Sequence, residues 1–141
     1  MTDVTHESSK TPGIVIFVAV LNFLSSGLFF IFSILSLVAL VFGNVMGIYD
    51  FVTRQITQFT QPQSLSLGLN FVFGSFLLIS LTFLAFFLFI GLGLLKGKKL
   101  AWYFQIAMSV LGLLGIPFGT ILNVIILIFF FQPSVRDYFK V

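Results

Sequence analysis

The sequence predicts an all-α polytopic membrane protein with four transmembrane helices and an outer amphipathic interfacial helix. Three observations carry that prediction. The 141 residues are 59% hydrophobic, and the mean hydropathy is +1.18. Only 8% are charged, against about 25% in soluble domains. Finally, residues 11–49, 55–95 and 100–135 carry no charge at all. A spanning helix needs about 20 apolar residues, so each run holds at least one.

The whole chain reads as a single membrane domain, 1–141. Residues 1–11 form a polar tail in which Lys10 stands against Asp3 and Glu7. It lacks a strongly basic signal-peptide start and a cleavage site, so the first apolar run reads as an uncleaved anchor. Helix 1 covers 13–43 and would be roughly 43–46 Å long at 1.5 Å per residue. That exceeds a hydrocarbon core of about 30 Å, so the helix tilts or projects.

Residues 44–61 alternate at helical spacing between Ile48, Phe51, Val52, Ile56 and Phe59 on one face and Asp50, Thr53, Arg54, Thr57 and Gln58 on the other. This pattern predicts an amphipathic helix at the outer interface, either lying as a lid over the Gly115–Gly119 turn or extending helix 1 into water. Asp50 and Arg54 are spaced as an i,i+4 ion pair.

Helix 2 covers 67–95, behind Pro62 and with Ser64 as its expected N-cap. The third charge-free run contains the breaker Gly115-Ile116-Pro117-Phe118-Gly119, which divides it into helices at 100–115 and 119–132. Both are short, so they cross with a submerged turn or form a re-entrant hairpin. Gln132-Pro133 ends the last helix, because the residue before proline avoids the α region. Residues 133–141 are expected to be a tail.

Four spans place both termini and the 96–99 loop on one side. That side holds Lys10, Lys96, Lys98, Lys99, Arg136 and Lys140, and the other holds Arg54 alone. The positive-inside rule then makes both termini cytoplasmic, in a prokaryotic plasma or intracytoplasmic membrane. Trp102, Tyr103 and Tyr138 fit an inner aromatic belt and Tyr49 an outer one.

The absences are as informative. There is no cysteine, and the one histidine, His6, sits in the polar tail. Disulfides, thiolate chemistry and histidine-held pigments therefore lack their residues. The spans contain no ionisable side chain except Tyr103 near an interface, which argues against proton relays and ion-coupled transport. No nucleophile–base pair or metal set is present, so no enzyme, catalytic residue, cofactor site or metal site is predicted. The basic residues flank apolar segments, so nucleic acid is not an expected partner.

The remaining polar candidates are uncharged, apart from the lysine loop. Ala19, Asn22, Ser26, Ser33, Ser36 and Gly43 recur along one side of helix 1 and predict close helix packing, with a ligand or water path as the alternative. Gly91, Gly93 and Gly97 include a G-x-x-x-G match before the lysine loop and predict a packing face or dimer motif. Asn70 and Asn123, with Asn22, share Leu-Asn contexts. They are candidates for a lipid or quinone head group, or for hydrogen bonds between helices. Lys96, Lys98 and Lys99 are candidate contacts for anionic lipid, or the topology signal alone. The 21 phenylalanines read as lipid-facing surface or as an aromatic face for a pigment, isoprenoid or partner.

Several C-terminal features belong together: the Gly-Leu helix end Gly91–Leu95, the basic turn Lys96–Lys99, Trp102, the Pro-x-Gly-Thr turn Pro117–Thr120 and the closing Pro-x-Val-x-x-Tyr-Phe of Pro133–Phe139. This half resembles a broad class of small four-helix bacterial and archaeal integral membrane proteins. The resemblance covers about 50 residues. It implies the four-span fold and brings no active site.

The expectation for function is a small non-catalytic membrane protein, an accessory or structural subunit of a larger complex or a self-associating bundle. Its partners would be membrane lipids and that complex, or further copies of itself. The alternative is a binder of lipid, quinone or another isoprenoid, and after it a small transporter or channel.

Overall fold

The computed structural model describes residues 11–56, 62–115 and 118–141. The N-terminal tail with Lys10 and His6, the 57–61 part of the amphipathic segment, and Ile116–Pro117 lie outside the described residues. The described chain is all-helical, without a strand: α1 Gly13–Val45, α2 Ile48–Ile56, α3 Pro62–Leu95, α4 Lys99–Gly112, α5 Phe118–Phe130 and α6 Pro133–Phe139.

The boundaries follow backbone chemistry. α1 continues through Gly43 and ends at Val45, because the left-handed residue that stops it is Gly47, at φ 64°. α3 starts at Pro62, five residues before the expected start, and Ser64 lies inside it rather than capping it. Proline suits the first helical position, where its missing N–H is no loss. α3 ends in a Schellman cap. The N–H of Lys98 donates to the Gly93 carbonyl (2.9 Å) and that of Gly97 to the Leu94 carbonyl (3.1 Å), with Gly97 left-handed at φ 62°. The expected tail at 133–141 is instead α6, bent by 73° from α5 at Gln132-Pro133.

Two helices are long and apolar enough to cross a membrane, Gly13–Val45 and Ser66–Leu95, and a third is added if the bent α5–α6 pair counts as one span. Of the four expected crossings, the described helices thus support two, or up to three, by length and composition. α4 has 14 residues and α5 has 13. At 1.5 Å per residue each is about 20 Å long, short of a core of about 30 Å.

The chain divides into two compact units. The first contains α1 as far as Phe23 together with Phe87–Val141, and its core is Val15, Val18, Ile90, Leu94, Phe130 and Phe139. Here α4 packs on α5, and α5 on α6. The second, Leu24–Phe86, pairs the remainder of α1 with the remainder of α3 and holds α2. Its seam includes Phe29 stacked on Phe83 (5.1 Å between centroids) and Phe32 tilted on Phe76 (6.0 Å).

Candidate functional site

The most connected polar group in the first unit is a hydrogen-bonded chain linking α1 to α4. Asn22 donates from Nδ2 to the Val18 carbonyl and to Gln105 Oε1, both at 2.8 Å. Gln105 donates from Nε2 to Ser109 Oγ at 3.3 Å. All three side chains are buried. Burying an amide without a partner is costly, so each amide fixes the position of the next.

The residues predicted as a stripe on helix 1 are all buried: Ala19 and Asn22 in the first unit, Ser26, Ser33, Ser36 and Gly43 in the second. Ser33 and Ser36 donate to the carbonyls one turn back, Phe29 and Phe32. Ser26 reaches across to the Leu84 carbonyl at 3.4 Å. Gly43 makes room for the ring of Tyr49, whose hydroxyl donates to the Ala39 carbonyl at 2.8 Å. Tyr49 is thus buried against α1, and burial raises its pKa. Asp50 and Arg54 stand exposed on α2, and the expected salt bridge between them does not occur among the described residues.

The glycines before the lysine loop serve three different purposes. A Cβ on Gly91 would lie 3.0 Å from the Phe23 ring, and one on Gly93 would lie 2.6 Å from Ala101 Cβ. Both close approaches are within this chain. Gly97 lies beyond the end of α3, so it shares no helix face with the other two, and it abuts Tyr138. Within the G-x-x-x-G match, Gly93 therefore packs closely on Ala101 and Gly97 closes the helix cap.

Asn70 exchanges hydrogen bonds with Asn44 (2.7 and 3.1 Å) in the second unit. In the first unit, Asn123 donates to the Gly119 carbonyl (2.7 Å), with its amide packed over Gly112. The two asparagines thus have separate partners. Lys96, Lys98 and Lys99 are all exposed.

Several polar residues escaped sequence reasoning. Gln105 and Ser109 lie one turn apart on the buried side of α4, with Ala101 and Trp102. Their i, i+1, i+4, i+8 spacing was a readable signal. Trp102 is buried, with Nε1 donating to the Phe130 carbonyl at 3.3 Å. That carbonyl ends α5, where Pro133 breaks the ladder, so the indole satisfies an orphaned acceptor. In the same way, Tyr138 OH donates to the Leu95 carbonyl at the end of α3 (2.8 Å) and accepts from Thr11 Oγ1 (3.3 Å). At the α4–α5 turn, Thr120 Oγ1 donates to the Leu113 carbonyl and the Thr120 N–H to the Gly115 carbonyl. These turn carbonyls are satisfied from within. Ser80 Oγ is buried with no partner among the described residues.

No group of three or more metal-ligating side chains occurs among the described residues. Comparison with known proteins returns no matching family model, no similar curated protein and no similar solved structure.

Proposed function

We propose that this chain is a non-catalytic integral membrane protein that acts structurally, as an accessory subunit of a larger membrane complex or as a self-associating bundle. One observation carries this reading. The amides on the charge-free helices are spent on one another and on nearby carbonyls, in Asn22–Gln105–Ser109, Asn44–Asn70 and Asn123–Gly119. Among the described residues no ionisable side chain joins them, which argues against a proton path. The outward surface is apolar. Only 28% of the apolar stretch of either long helix is buried within the chain. Such faces suit lateral packing against other helices.

In the proposed topology α1 and α3 cross, and α2 lies at the opposite interface from the lysine loop. α4 and α5 complete the four-helix arrangement as two short helices from the basic side. The meeting of Thr11, Leu95 and Tyr138 supports a shared side for the start of α1, the lysine loop and α6. The positive-inside rule makes that side cytoplasmic, in a prokaryotic plasma or intracytoplasmic membrane.

The binding alternative retains one specific support. A groove of about 290 Å³ in the second unit is lined by Phe30, Ser33, Ile34, Leu37, Leu77 and Leu81. Its lining suits an acyl or isoprenoid chain, with no metal or other cofactor involved.

The test is purification from the native membrane in mild detergent, with identification of everything that co-migrates. A stoichiometric larger protein, or a discrete oligomer of this chain, is the expected result. A lone chain that retains a quinone, or that gives solute flux in proteoliposomes, would overturn the structural reading.

A further inference from the structure

The basic end of the first unit is more than a scatter of cations. The loop carrying Lys96, Lys98 and Lys99 is held by the Schellman cap. It abuts α6 directly: a Cβ on Gly97 would lie 3.4 Å from the Tyr138 carbonyl oxygen and 3.5 Å from its ring. α6 is pinned in turn by the Tyr138–Leu95 hydrogen bond and by burial of Val135 and Phe139, which leaves Arg136 and Lys140 exposed. The three loop cations and the two of α6 are thus exposed on adjoining segments, with Asp137 between the latter two, and none of the five forms a salt bridge among the described residues.

Beside these cations the surface turns apolar. Leu95, Leu100, Tyr103 and Phe131 are all exposed. Trp102 braces two of them, edge-on to Tyr103 (5.0 Å) and to Phe131 (6.0 Å). Cations bordered by exposed apolar side chains match an amphiphile, with phosphate at the lysines and acyl chain along the collar. A soluble anion would use only the first, and an acidic protein surface would leave the second uncovered.

The geometry points to a binding site for anionic phospholipid, formed by Lys96, Lys98, Lys99, Arg136 and Lys140 around the Leu100–Tyr103 collar. This rests on the membrane placement proposed above. The site holds the lipid by phosphate charge and by packing of its first methylenes.

The test uses the full chain in nanodiscs or neutral detergent, with dioleoyl phosphatidylglycerol and dioleoyl phosphatidylcholine as competing probes read by native mass spectrometry. Preferential retention of phosphatidylglycerol is expected, weakening with salt. The triple variant Lys96→Gln, Lys98→Gln, Lys99→Gln lowers that preference by about tenfold or more. Arg136→Gln with Lys140→Gln lowers it separately, which keeps the proposal testable if the triple variant does not fold. Arg54→Gln, on α2, leaves it unchanged. Helical circular dichroism and Trp102 emission report folding of each variant. Equal retention of the two lipids, or unchanged preference in the folded variants, overturns the site. So does equal protection by inorganic phosphate, which would make it a free-anion site. Extraction of the chain from native membranes by alkaline carbonate would instead overturn the membrane placement, whatever the lipid preference.

Discussion

Asn22 and Gln105 lie 83 residues apart and share a buried 2.8 Å hydrogen bond, so their coupling measures how strongly one polar contact ties α4 to α1. Asn22→Leu leaves Gln105 Oε1 without its donor. Gln105→Met leaves one Asn22 N–H and Ser109 Oγ short of a partner, while the Asn22 bond to Val18 survives. An unsatisfied buried polar group costs about 1–3 kcal/mol, so each single variant is expected to lose an amount in that range. Both new side chains approximate the old volumes, so the double variant removes both amides with little cavity and leaves Ser109 Oγ alone short of a partner. It should lose less than the sum of the two singles. The coupling is expected near 0.6 kcal/mol and no more than about 2 kcal/mol, the span found for hydrogen bonds between membrane helices. Unfolding in mixed micelles is the assay. Trp102, the single tryptophan, is buried in the same unit and reports its opening by fluorescence. Strictly additive losses, or a double variant worse than the sum, would refute the argument that these amides satisfy one another.

Three further outcomes rest on named contacts. Gly93→Ala should destabilise by about 1–3 kcal/mol, since its Cβ would press on Ala101, whereas Gly27→Ala, with nothing within 4 Å, should gain about 0.5–1 kcal/mol of helix stability; thermal unfolding by circular dichroism compares them. Ser80→Ala should be neutral or stabilising by up to about 1 kcal/mol, because the hydroxyl is buried unpaired, and a clear loss in the same assay would reveal a partner. Burial raises the Tyr49 pKa above its ordinary 10.0, so the unfolded chain loses this proton first. The contribution of Tyr49 is therefore complete below about pH 10 and falls as pH rises toward the folded value. Tyrosinate absorbance and melting temperature should show this in the parent and lose it in Tyr49→Phe.

Much of the helical framework was legible because it depends on local chemistry. Runs without charge have one low-energy form in hydrocarbon, the helix, whose backbone satisfies itself. Gln132-Pro133 and the Gly115–Gly119 breaker were readable for the same reason, and α5 does end at Phe130. The site was less legible. The glycines before the lysine loop look alike in a string, yet one accommodates Phe23, one accommodates Ala101 and one closes a helix cap. Ser64 had the right residue type for a cap, but Pro62 two positions earlier already starts the helix. Gln105 was overlooked because its signal, the spacing of 101, 102, 105 and 109, marks a buried face and names no partner.

The sequence by itself determined the long apolar helices, two of which could span a membrane, and the clustering of positive charge at the chain segments 96–99 and 136–140. Composition and hydropathy act through solvent, and solvent preference is additive along a chain. Only the tertiary structure decided which polar groups meet. It brought Asn22 to Gln105, Trp102 to the Phe130 carbonyl and Tyr138 to the Leu95 carbonyl. It also turned an expected tail into a helix folded back on the bundle. Hydrogen bonds are directional and short-ranged, so their pairing depends on where distant helices are placed and not on what either residue prefers alone.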